Sequence, residues 1–394
     1  MRGNLAAALV SLIPIFAHAG PVEQGPPNTD LPPAFPGQTR AEALPKTPVQ
    51  VQVLTEGLDH PWGIAPAGDA WLVTERSGRL RLMGPDGTLS RPLGGVPGVD
   101  ARRQGGLLDV MTAPDFAQTR RLWLTYSKRV SGGTTTAAAT AVLSADGTRL
   151  EDLREIFVGN PPSGTPMHYG SRIVMAPDGQ TVFITTGDHS SRRDRVLAQD
   201  IETTYGKVLR VGALTGAPIA SNPFVGRDGL DTIWSYGHRN VQGATIGPDG
   251  AIWTMEHGPR GGDELNRPEA GKNYGWPVIS YGINYGGSDV GEGIAEAPGM
   301  EQPIYYWDPV IAPGGMAFYD GGLFDWRGDV LIGGLVANAV VRLEMRGGNV
   351  VGEERVAEGI GRVRDVEVAA DGSVLALIDA PAPFGGVMRI VPDR

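Results

Sequence analysis

From Val49 onward, short apolar runs with high β propensity alternate with glycine-containing polar turns, most of which carry an Asp-Gly pair. The clearest runs lie within residues 70–87, 175–188, 246–258 and 368–379, and residues 326–335 form a weaker copy. Alternating or β-branched runs that end in Asp-Gly turns are typical of β-hairpins. Because few stretches show a helical period, the pattern predicts an all-β chain built from repeated hairpins.

Repeats of this kind predict a six-bladed β-propeller over residues 47–394, with about 58 residues per blade. The β-prone runs at residues 49–54 and 385–392 are expected to pair and close the ring, which would remove the free sheet edges. Two β-sandwiches are the structural alternative, but repeats of this period favour the propeller.

Composition agrees with many short strands, since the chain has 58 glycines, 32 prolines and only 20% charged residues. A formal net charge of −10 argues against a nucleic-acid partner. The absence of cysteine excludes disulfides and thiolate chemistry. The sequence also lacks a phosphate-binding Gly-Lys-Ser/Thr loop, a nicotinamide-binding fingerprint and a nucleophile elbow.

The N-terminal residues 1–19 are predicted to be a secretory signal peptide. Arg2 precedes an apolar run that ends near Ala17, and the small residues Ala17 and Ala19 suit cleavage after Ala19. The run is too short for a comfortable membrane span, so a periplasmic or secreted protein is expected. Residues 20–46 are rich in proline and are expected to be a flexible or extended leader outside the core.

Residues 254–277 combine acids, glycines and prolines in a short stretch. Glu256, Asp263 and Glu264 are candidate oxygen ligands for a hard cation. Glycines and a proline disfavour regular structure here, which leaves backbone carbonyls free to turn inward. Ca²⁺ accepts six to eight oxygens and tolerates mixtures of carboxylates and carbonyls. A solvated acidic turn is the alternative interpretation.

His168 lies in a glycine-containing loop and is a candidate general base, because the pKa of histidine is near neutrality. Asp188 ends a β-prone run and is a candidate to orient the imidazole and stabilise its protonated form. The adjacent His189 competes for this assignment. Many loop histidines have no chemical function, and that alternative stays open for His168.

Candidate anion-binding residues lie in two further segments. Arg239 and Asn240 occupy a turn bounded by glycines, and Arg362 and Arg364 alternate along a β-prone run, so that both point to one face. This arrangement suggests an anionic ligand, with surface salt bridges as the alternative. Gln104 precedes two glycines and is a weaker candidate for ligand contact. The tryptophans are expected to brace the blades, namely Trp234, Trp276, Trp307 and Trp326.

Several segments together resemble the soluble glucose/sorbosone dehydrogenases that depend on pyrroloquinoline quinone (PQQ), in particular the periplasmic aldose sugar dehydrogenases. The resemblance covers roughly residues 50–392. Its motifs occur in the family's order and are MHYGSRIVMAPDG, YGKVLRV, GHRNVQG, EHGPRGGDELN, GKNYGWP, IAPGGMAFY and GRVRDV.

This resemblance implies a propeller that holds PQQ and Ca²⁺ at its axis and oxidises an aldose at the anomeric carbon. His168 matches the catalytic base, Asp188 its orienting partner and Arg239 the residue that stabilises charge on the quinone oxygen. Gln104, Asn240, Arg362 and Arg364 match cofactor contacts. The backbone carbonyls of Gly258 and Pro259 match ligands of the cofactor's Ca²⁺, and a second, structural Ca²⁺ site matches Asp263, Glu264 and Tyr274.

The chain departs from the family at Val336, where a lysine usually contacts PQQ. Valine supplies no positive charge, so weaker PQQ binding, a changed substrate or acceptor, or loss of activity is expected. Two other functions stay open, a Ca²⁺-dependent propeller lactonase and a non-catalytic sugar-binding propeller. The expected partners are an aldose and an unidentified electron acceptor, and the expected assembly is a monomer or a homodimer.

Overall fold

The computed structural model describes residues 20–393 and is a six-bladed β-propeller. Its strands, in chain order, are β1 (Glu42–Ala43), β2 (Val49–Leu58), β3 (Pro61–Ala67), β4 (Ala70–Glu75), β5 (Arg79–Met83), β6 (Leu107–Thr112), β7 (Arg121–Val130), β8 (Gly133–Leu143), β9 (Leu150–Val158), β10 (Ile173–Met175), β11 (Thr181–Thr185), β12 (Lys207–Gly212), β13 (Ile233–Tyr236), β14 (Val241–Ile246), β15 (Ile252–Glu256), β16 (Asp263–Asn266), β17 (Tyr305–Trp307), β18 (Pro313–Phe318), β19 (Val330–Gly334), β20 (Ala339–Arg346), β21 (Asn349–Val356), β22 (Val363–Val368), β23 (Val374–Ile378) and β24 (Gly385–Pro392). Within this described part, helix is confined to one α-helical turn (Phe116–Thr119) and one 3-10 turn (Arg195–Ala198).

Each blade is one antiparallel sheet whose strands follow one another in sequence. The six sheets are β3-β4-β5, β6 to β9, β10 to β13, β14 to β17, β18 to β21 with β1 added, and β22 to β24 with β2 added. The first strands of neighbouring blades, from β3 to β22, contact one another around the central axis. The predicted all-β propeller is therefore confirmed.

The Asp-Gly and Gly-Asp turns explain much of this regularity. Those at residues 178–179, 249–250, 328–329 and 371–372 all connect the first strand of a blade to its second. In the turn of the third blade, Asp178 accepts hydrogen bonds from the backbone N–H groups of Gln180 and Thr181, both at 2.8 Å. Such side-chain bonds favour a turn over continued strand. Asp86-Gly87 is different, because it follows β5.

The ring closes as expected from the sequence. The antiparallel pair of β2 and β24 runs from Val49 opposite Pro392 to Leu58 opposite Gly385. The last blade is thus assembled from both ends of the described chain, and its sheet edge is covered.

Residues 20–46 differ from the expected separate leader, and we call them the N-terminal strap. They are extended, as expected, but they pack against the propeller. β1 pairs in parallel with β21, and Ala41 is buried in a core cluster that includes Trp253 and Tyr305. The proline-rich composition gave no hint of this docking, because the docking depends on partners more than 200 residues away.

The core lies mainly between and within the blades, in several clusters of buried aliphatic and aromatic side chains. Trp307 and Trp326 are buried there, and Trp234 packs beside a smaller cluster. The predicted signal peptide lies outside the described residues. Among residues 20–393, no helix is long and apolar enough to cross a membrane.

Candidate active site

A cavity of about 240 Å³ opens at one end of the propeller axis. Most of the residues that line the cavity lie near the start of the first strand of a blade or after its second strand. In antiparallel strands these positions lie at the same end of the sheet. The cavity wall contains every predicted catalytic or cofactor-binding residue except Asp188, namely Gln104, His168, Arg239, Asn240, Arg362 and Arg364.

Asp188 lies directly behind His168 and forms the predicted pair with it. His168 Nδ1 is 2.6 Å from Asp188 Oδ1, and both side chains are buried. Since an ionised carboxylate only accepts hydrogen bonds, His168 carries its proton on Nδ1. Nε2 is then the basic nitrogen of the ring. The geometry is that of a general base held by an acidic partner.

Gln104 and Trp276, which were expected to contact a ligand and to brace the blades, hold this pair in place. Gln104 Oε1 accepts a hydrogen bond of 2.8 Å from the backbone N–H of His168, whose φ of 47° is in the left-handed region. Trp276 Nε1 donates a hydrogen bond of 2.8 Å to Asp188 Oδ2. Trp276 therefore does more than brace the blades, because it fixes the second oxygen of the orienting carboxylate.

The surroundings keep the pair ready for proton uptake. Burial lowers the pKa of His168, the Arg239 charge lowers it further, and Asp188 only partly opposes both. Burial alone would raise the pKa of Asp188, but His168 and Arg239 outweigh it and the pKa is lowered. At neutral pH the site thus holds a neutral imidazole and an ionised carboxylate.

The competing histidine, His189, belongs to the packing of the fold. Its ring makes edge-on contacts with Tyr169 and Tyr205, with ring centroids 5.2 and 4.9 Å apart. Burial lowers the pKa of His189 to about 4. His189 is absent from the cavity wall, so His168 is the histidine placed for chemistry.

Arg239 is fixed from three sides. Its backbone N–H donates to Glu256 Oε2 at 2.6 Å, its Nη1 donates to the carbonyl of His257 at 2.9 Å, and its guanidinium lies 5.2 Å from the centre of the Trp276 ring. The buried Nε of Arg239 has no hydrogen-bond partner in the described structure. A buried donor without a partner is costly and suits a site that receives a polar ligand.

Glu256 was expected to be an oxygen ligand of a cation, and the structure gives it another function. Oε1 accepts hydrogen bonds from His238 Nδ1 at 2.8 Å and Asn266 Nδ2 at 3.0 Å, and Oε2 binds the backbone of Arg239. The carboxylate is occupied by protein groups. Its function is to hold the turn that presents Arg239 and Asn240.

Arg362 and Arg364 share the cavity wall, as their alternation predicted. Arg364 is buried, and its two terminal nitrogens donate to Gln242 Oε1 at 2.8 Å and Asp379 Oδ2 at 2.9 Å. The Nε atom of Arg364 has no partner. The Arg362 side chain is 51% exposed, and its Nη1 donates a hydrogen bond of 3.2 Å to the carbonyl of Leu335.

The charge of the wall is strongly positive. Four arginines line it, namely Arg76, Arg239, Arg362 and Arg364. Asp379 is the one carboxylate among the lining residues. With two unpartnered buried donors, this charge fits an anionic ligand with several carboxylates. The arginine-rich cavity therefore fits PQQ, a tricarboxylate.

The predicted metal residues lie beside the cavity and do not line it. Asp263 accepts three backbone hydrogen bonds, from Gly258 at 2.8 Å, Ile311 at 2.8 Å and Ala312 at 2.7 Å. The hydroxyl of Tyr274 donates to the carbonyl of Arg267 at 2.9 Å. Both side chains are thus engaged by the fold, and their use as metal ligands stays a prediction.

Among the predicted acidic ligands, Glu264 accepts the fewest hydrogen bonds from the protein. It is half-buried, and one oxygen accepts a hydrogen bond of 3.0 Å from Asn266. Burial raises the pKa of Glu264 well above its ordinary value, with repulsion from Glu256 as the next cause. No group of three or more histidine and acidic side chains is positioned for a metal ion in residues 20–393. A cation here would need backbone carbonyls as further ligands.

Val336, the departure from the family pattern, lies on the cavity wall and is 51% exposed.

Sequence reasoning missed several residues that line the cavity. Gln242 bridges Arg364 and His257, whose Nε2 is 2.9 Å from Gln242 Oε1. Gln242 belongs to the GHRNVQG motif, which was the available signal, whereas nothing local in the sequence marked Asp379.

The chain is similar to known proteins over most of its length. A family model described as "Glucose / Sorbosone dehydrogenase" matches residues 58–385. The aldose sugar dehydrogenase YliI of Escherichia coli (strain K12) is 41% identical over 358 residues, which cover 89% of this chain and 94% of that protein. Quinoprotein glucose dehydrogenase B of Acinetobacter calcoaceticus is 29% identical over 260 residues, or 58% of this chain and 52% of that protein.

Two solved structures extend the comparison. The apo-form of the soluble aldose sugar dehydrogenase from Escherichia coli superposes with a TM-score of 0.82 at 41% identity, covering 88% of this chain and 100% of that one. The PQQ-bound form of an aldose sugar dehydrogenase from Streptomyces coelicolor superposes with a TM-score of 0.72 at 26% identity, covering 89% and 100%.

Proposed function

The chain belongs to the glucose/sorbosone dehydrogenase family, and we propose that it oxidises aldose sugars at the anomeric carbon to lactones with PQQ as cofactor. The observation that carries this proposal is the meeting of the His168–Asp188 pair with the arginine-rich wall in one cavity. PQQ, when bound, supplies the acceptor for the hydride that leaves the anomeric carbon.

Protein groups for holding such a cofactor surround the cavity. Arg239 and Arg364 each have a buried Nε without a partner, and Arg362 offers a partly exposed charge at the rim. Gln104 and Asn240 use their amide oxygens on the His168 and Gly170 backbones, so their amide nitrogens are available as donors. These residues would bind and orient a tricarboxylate through charge-assisted hydrogen bonds.

His168 would act as the base that removes the proton of the anomeric hydroxyl. The proton goes to Nε2, and the carbon–oxygen bond becomes the carbonyl of the lactone as the hydride departs. Asp188 would stabilise the resulting imidazolium through the bond at Nδ1. Arg239 would stabilise negative charge that develops at the cavity, as a fixed donor in a water-poor site.

Ca²⁺ belongs to the proposal in two places. The backbone carbonyls of Gly258 and Pro259, next to the His257 carbonyl that holds Arg239, would bind the ion associated with the cofactor. Asp263, Glu264 and Tyr274 would bind a second, structural ion. The ion at Gly258 and Pro259 would act as a Lewis acid. Periplasmic or secreted location and an external electron acceptor complete the proposal.

Reconstitution tests this function. Purified apo-protein receives PQQ and Ca²⁺, and cofactor absorbance is followed as aldoses and a dye acceptor are added. Sugar-dependent reduction of the cofactor and dye turnover are expected. In His168→Gln, PQQ binding should persist while turnover falls by about 10²- to 10⁴-fold. Failure of the wild-type protein to bind PQQ would contradict the proposal.

Val336 gives specific support to a second candidate, a propeller that binds a sugar or PQQ without turning over. It removes the cation that the family places on this part of the wall. In the reconstitution, binding without dye reduction would favour this candidate. A lactonase receives less support, because a neutral lactone does not require four arginines.

A further inference from the structure

We propose that the N-terminal strap (residues 20–46) braces the loop 257–262 beside the cavity, with Asn28 as the positioning residue. The loop carries the proposed carbonyl ligands Gly258 and Pro259, so this inference rests on the proposed function. The strap precedes residues 58–385, the part of the chain that the family model matches.

Asn28 joins the strap to the loop directly. Its Oδ1 accepts a hydrogen bond of 2.8 Å from Arg260 Nε, and its Nδ2 donates to Asp308 Oδ1 at 2.5 Å. The backbone N–H groups of Asn28 and Thr29 donate to Asp308 Oδ2 at 2.7 and 3.0 Å. One side chain of the strap thus bridges an arginine of the loop and a carboxylate behind it.

The carboxylate of Asp308 lies close to the backbone of the loop at Gly261. A Cβ atom on Gly261, whose φ is 85°, would lie 2.3 Å from Asp308 Oδ1. The loop also donates from Gly262 N–H to the carbonyl of Trp307 at 2.8 Å. The position of Asp308 therefore sets how closely the loop can pack.

The strap also holds Asp308 from its other side. Arg40 Nη2 donates to the carbonyls of Gly25 at 2.7 Å and Asp308 at 2.8 Å. These two hydrogen bonds link residues 25 and 40 of the strap to each other and to the backbone of Asp308 in the propeller. Loosening the strap should let both Asp308 and residues 257–262 move.

The loop connects these contacts to the cavity. The carbonyl of His257 accepts the Arg239 Nη1 hydrogen bond of 2.9 Å. A displaced loop would therefore change both the carbonyls of Gly258 and Pro259 and the support of Arg239. The expected consequence is weaker cofactor binding with little change in the rate once the cofactor is bound.

Hydrogen exchange on the full-length apo-protein tests the brace without relying on activity. Asn28→Ala should speed exchange of the amides of Gly258, Arg260 and Gly262 by about tenfold, since two side-chain hydrogen bonds are lost. The double variant Asn28→Ala/Arg40→Ala should speed it further. Amides of β11 serve as an internal reference for global stability.

Lys46→Ala is the matched control, because Lys46 lies in the strap but pairs with Glu358 at the surface, at 3.3 Å. It should leave loop exchange unchanged. In a PQQ titration, Asn28→Ala should raise the Kd about tenfold while turnover at saturating PQQ stays near that of the wild type.

The two readouts separate failure of the brace from failure of the proposed function. Unchanged exchange at Gly258, Arg260 and Gly262 in the double variant would overturn the brace. Faster exchange with an unchanged PQQ Kd would overturn its link to cofactor binding. A wild-type protein that binds no PQQ would refute the proposed function, while the exchange data would still decide whether the strap positions the loop.

Discussion

At the scale of single residues, a small set of hydrogen bonds fixes the position of His168. Its ring is fixed by Asp188, its backbone by Gln104, and Asp188 in turn by Trp276. These partners come from different blades or loops. The arrangement keeps Nε2 oriented as a base before any substrate arrives, which is the purpose of preorganisation.

Asp188→Asn should lower turnover by about 10²- to 10⁴-fold with PQQ binding retained. The amide can no longer stabilise imidazolium, and it can force the wrong tautomer on His168. Steady-state dye reduction at saturating PQQ measures the effect. Asp200→Asn, at an exposed turn in the same long loop, is the control and should retain full rate.

The pH dependence should report the lowered pKa of His168. The base is active only when neutral, so activity falls as pH drops through its pKa. The midpoint of the acid limb of kcat/KM should lie below the ordinary value of 6.5. Arg239→Gln removes a charge that lowers this pKa, and its midpoint should therefore move to higher pH. A midpoint that stays fixed in this variant would indicate that another group titrates.

Val336→Lys should restore a cation to the cavity wall and tighten PQQ binding by about fivefold to tenfold, because one partly exposed charge pair contributes about 1 kcal/mol. Fluorescence or absorbance titration gives the Kd. Val225→Lys, at another exposed valine, should have no effect. Equal affinities for wild type and Val336→Lys would show that the missing lysine is not what limits binding.

At the scale of elements, the stretch that the sequence presented as a metal loop is organised by Asp263 as an anchor. Its carboxylate accepts N–H groups from the loop at Gly258 and from Ile311 and Ala312 before β18. It thereby joins the fourth blade to the entrance of the fifth. A buried carboxylate with three such bonds is a structural centre in its own right.

Asp263→Ala should lower the free energy of unfolding by about 2–4 kcal/mol, because three buried N–H groups lose their acceptor. Asp86→Ala removes an exposed carboxylate that accepts hydrogen bonds only from Thr88, two residues away, and should change stability by less than about 1 kcal/mol. Chemical denaturation of both variants makes the comparison. Equal losses would argue that Asp263 has no special anchoring function.

The sequence predicted the strands and turns better than it predicted contacts between distant residues. Turn chemistry and strand periodicity depend on neighbouring residues, so the hairpins at residues 175–188 and 246–258 were identified. The sequence did not reveal the hydrogen-bond partners of Trp276, Glu256 and Asp263, because the fold brings those partners together. Trp276 is 88 positions from Asp188 along the chain, and no local pattern encodes that contact.

At the scale of the whole molecule, the propeller turns scattered motifs into one site. The six inner strands begin at the same face, so residues from Gln104 to Arg364 converge although 260 positions separate them. The family resemblance identified these positions, and closure by β2 and β24 was predictable from strand candidates at the two ends. Docking of the strap was not, since it depends on distant loop residues such as Asp308.

A crystal structure of the protein with PQQ and Ca²⁺ would decide whether this cavity is the PQQ site. We expect cofactor density in the cavity, with carboxylates on Arg362 and Arg364 and the reactive face toward His168 Nε2. We also expect an ion on the carbonyls of Gly258 and Pro259. PQQ bound elsewhere, or a cavity that stays empty at saturating PQQ, would contradict it.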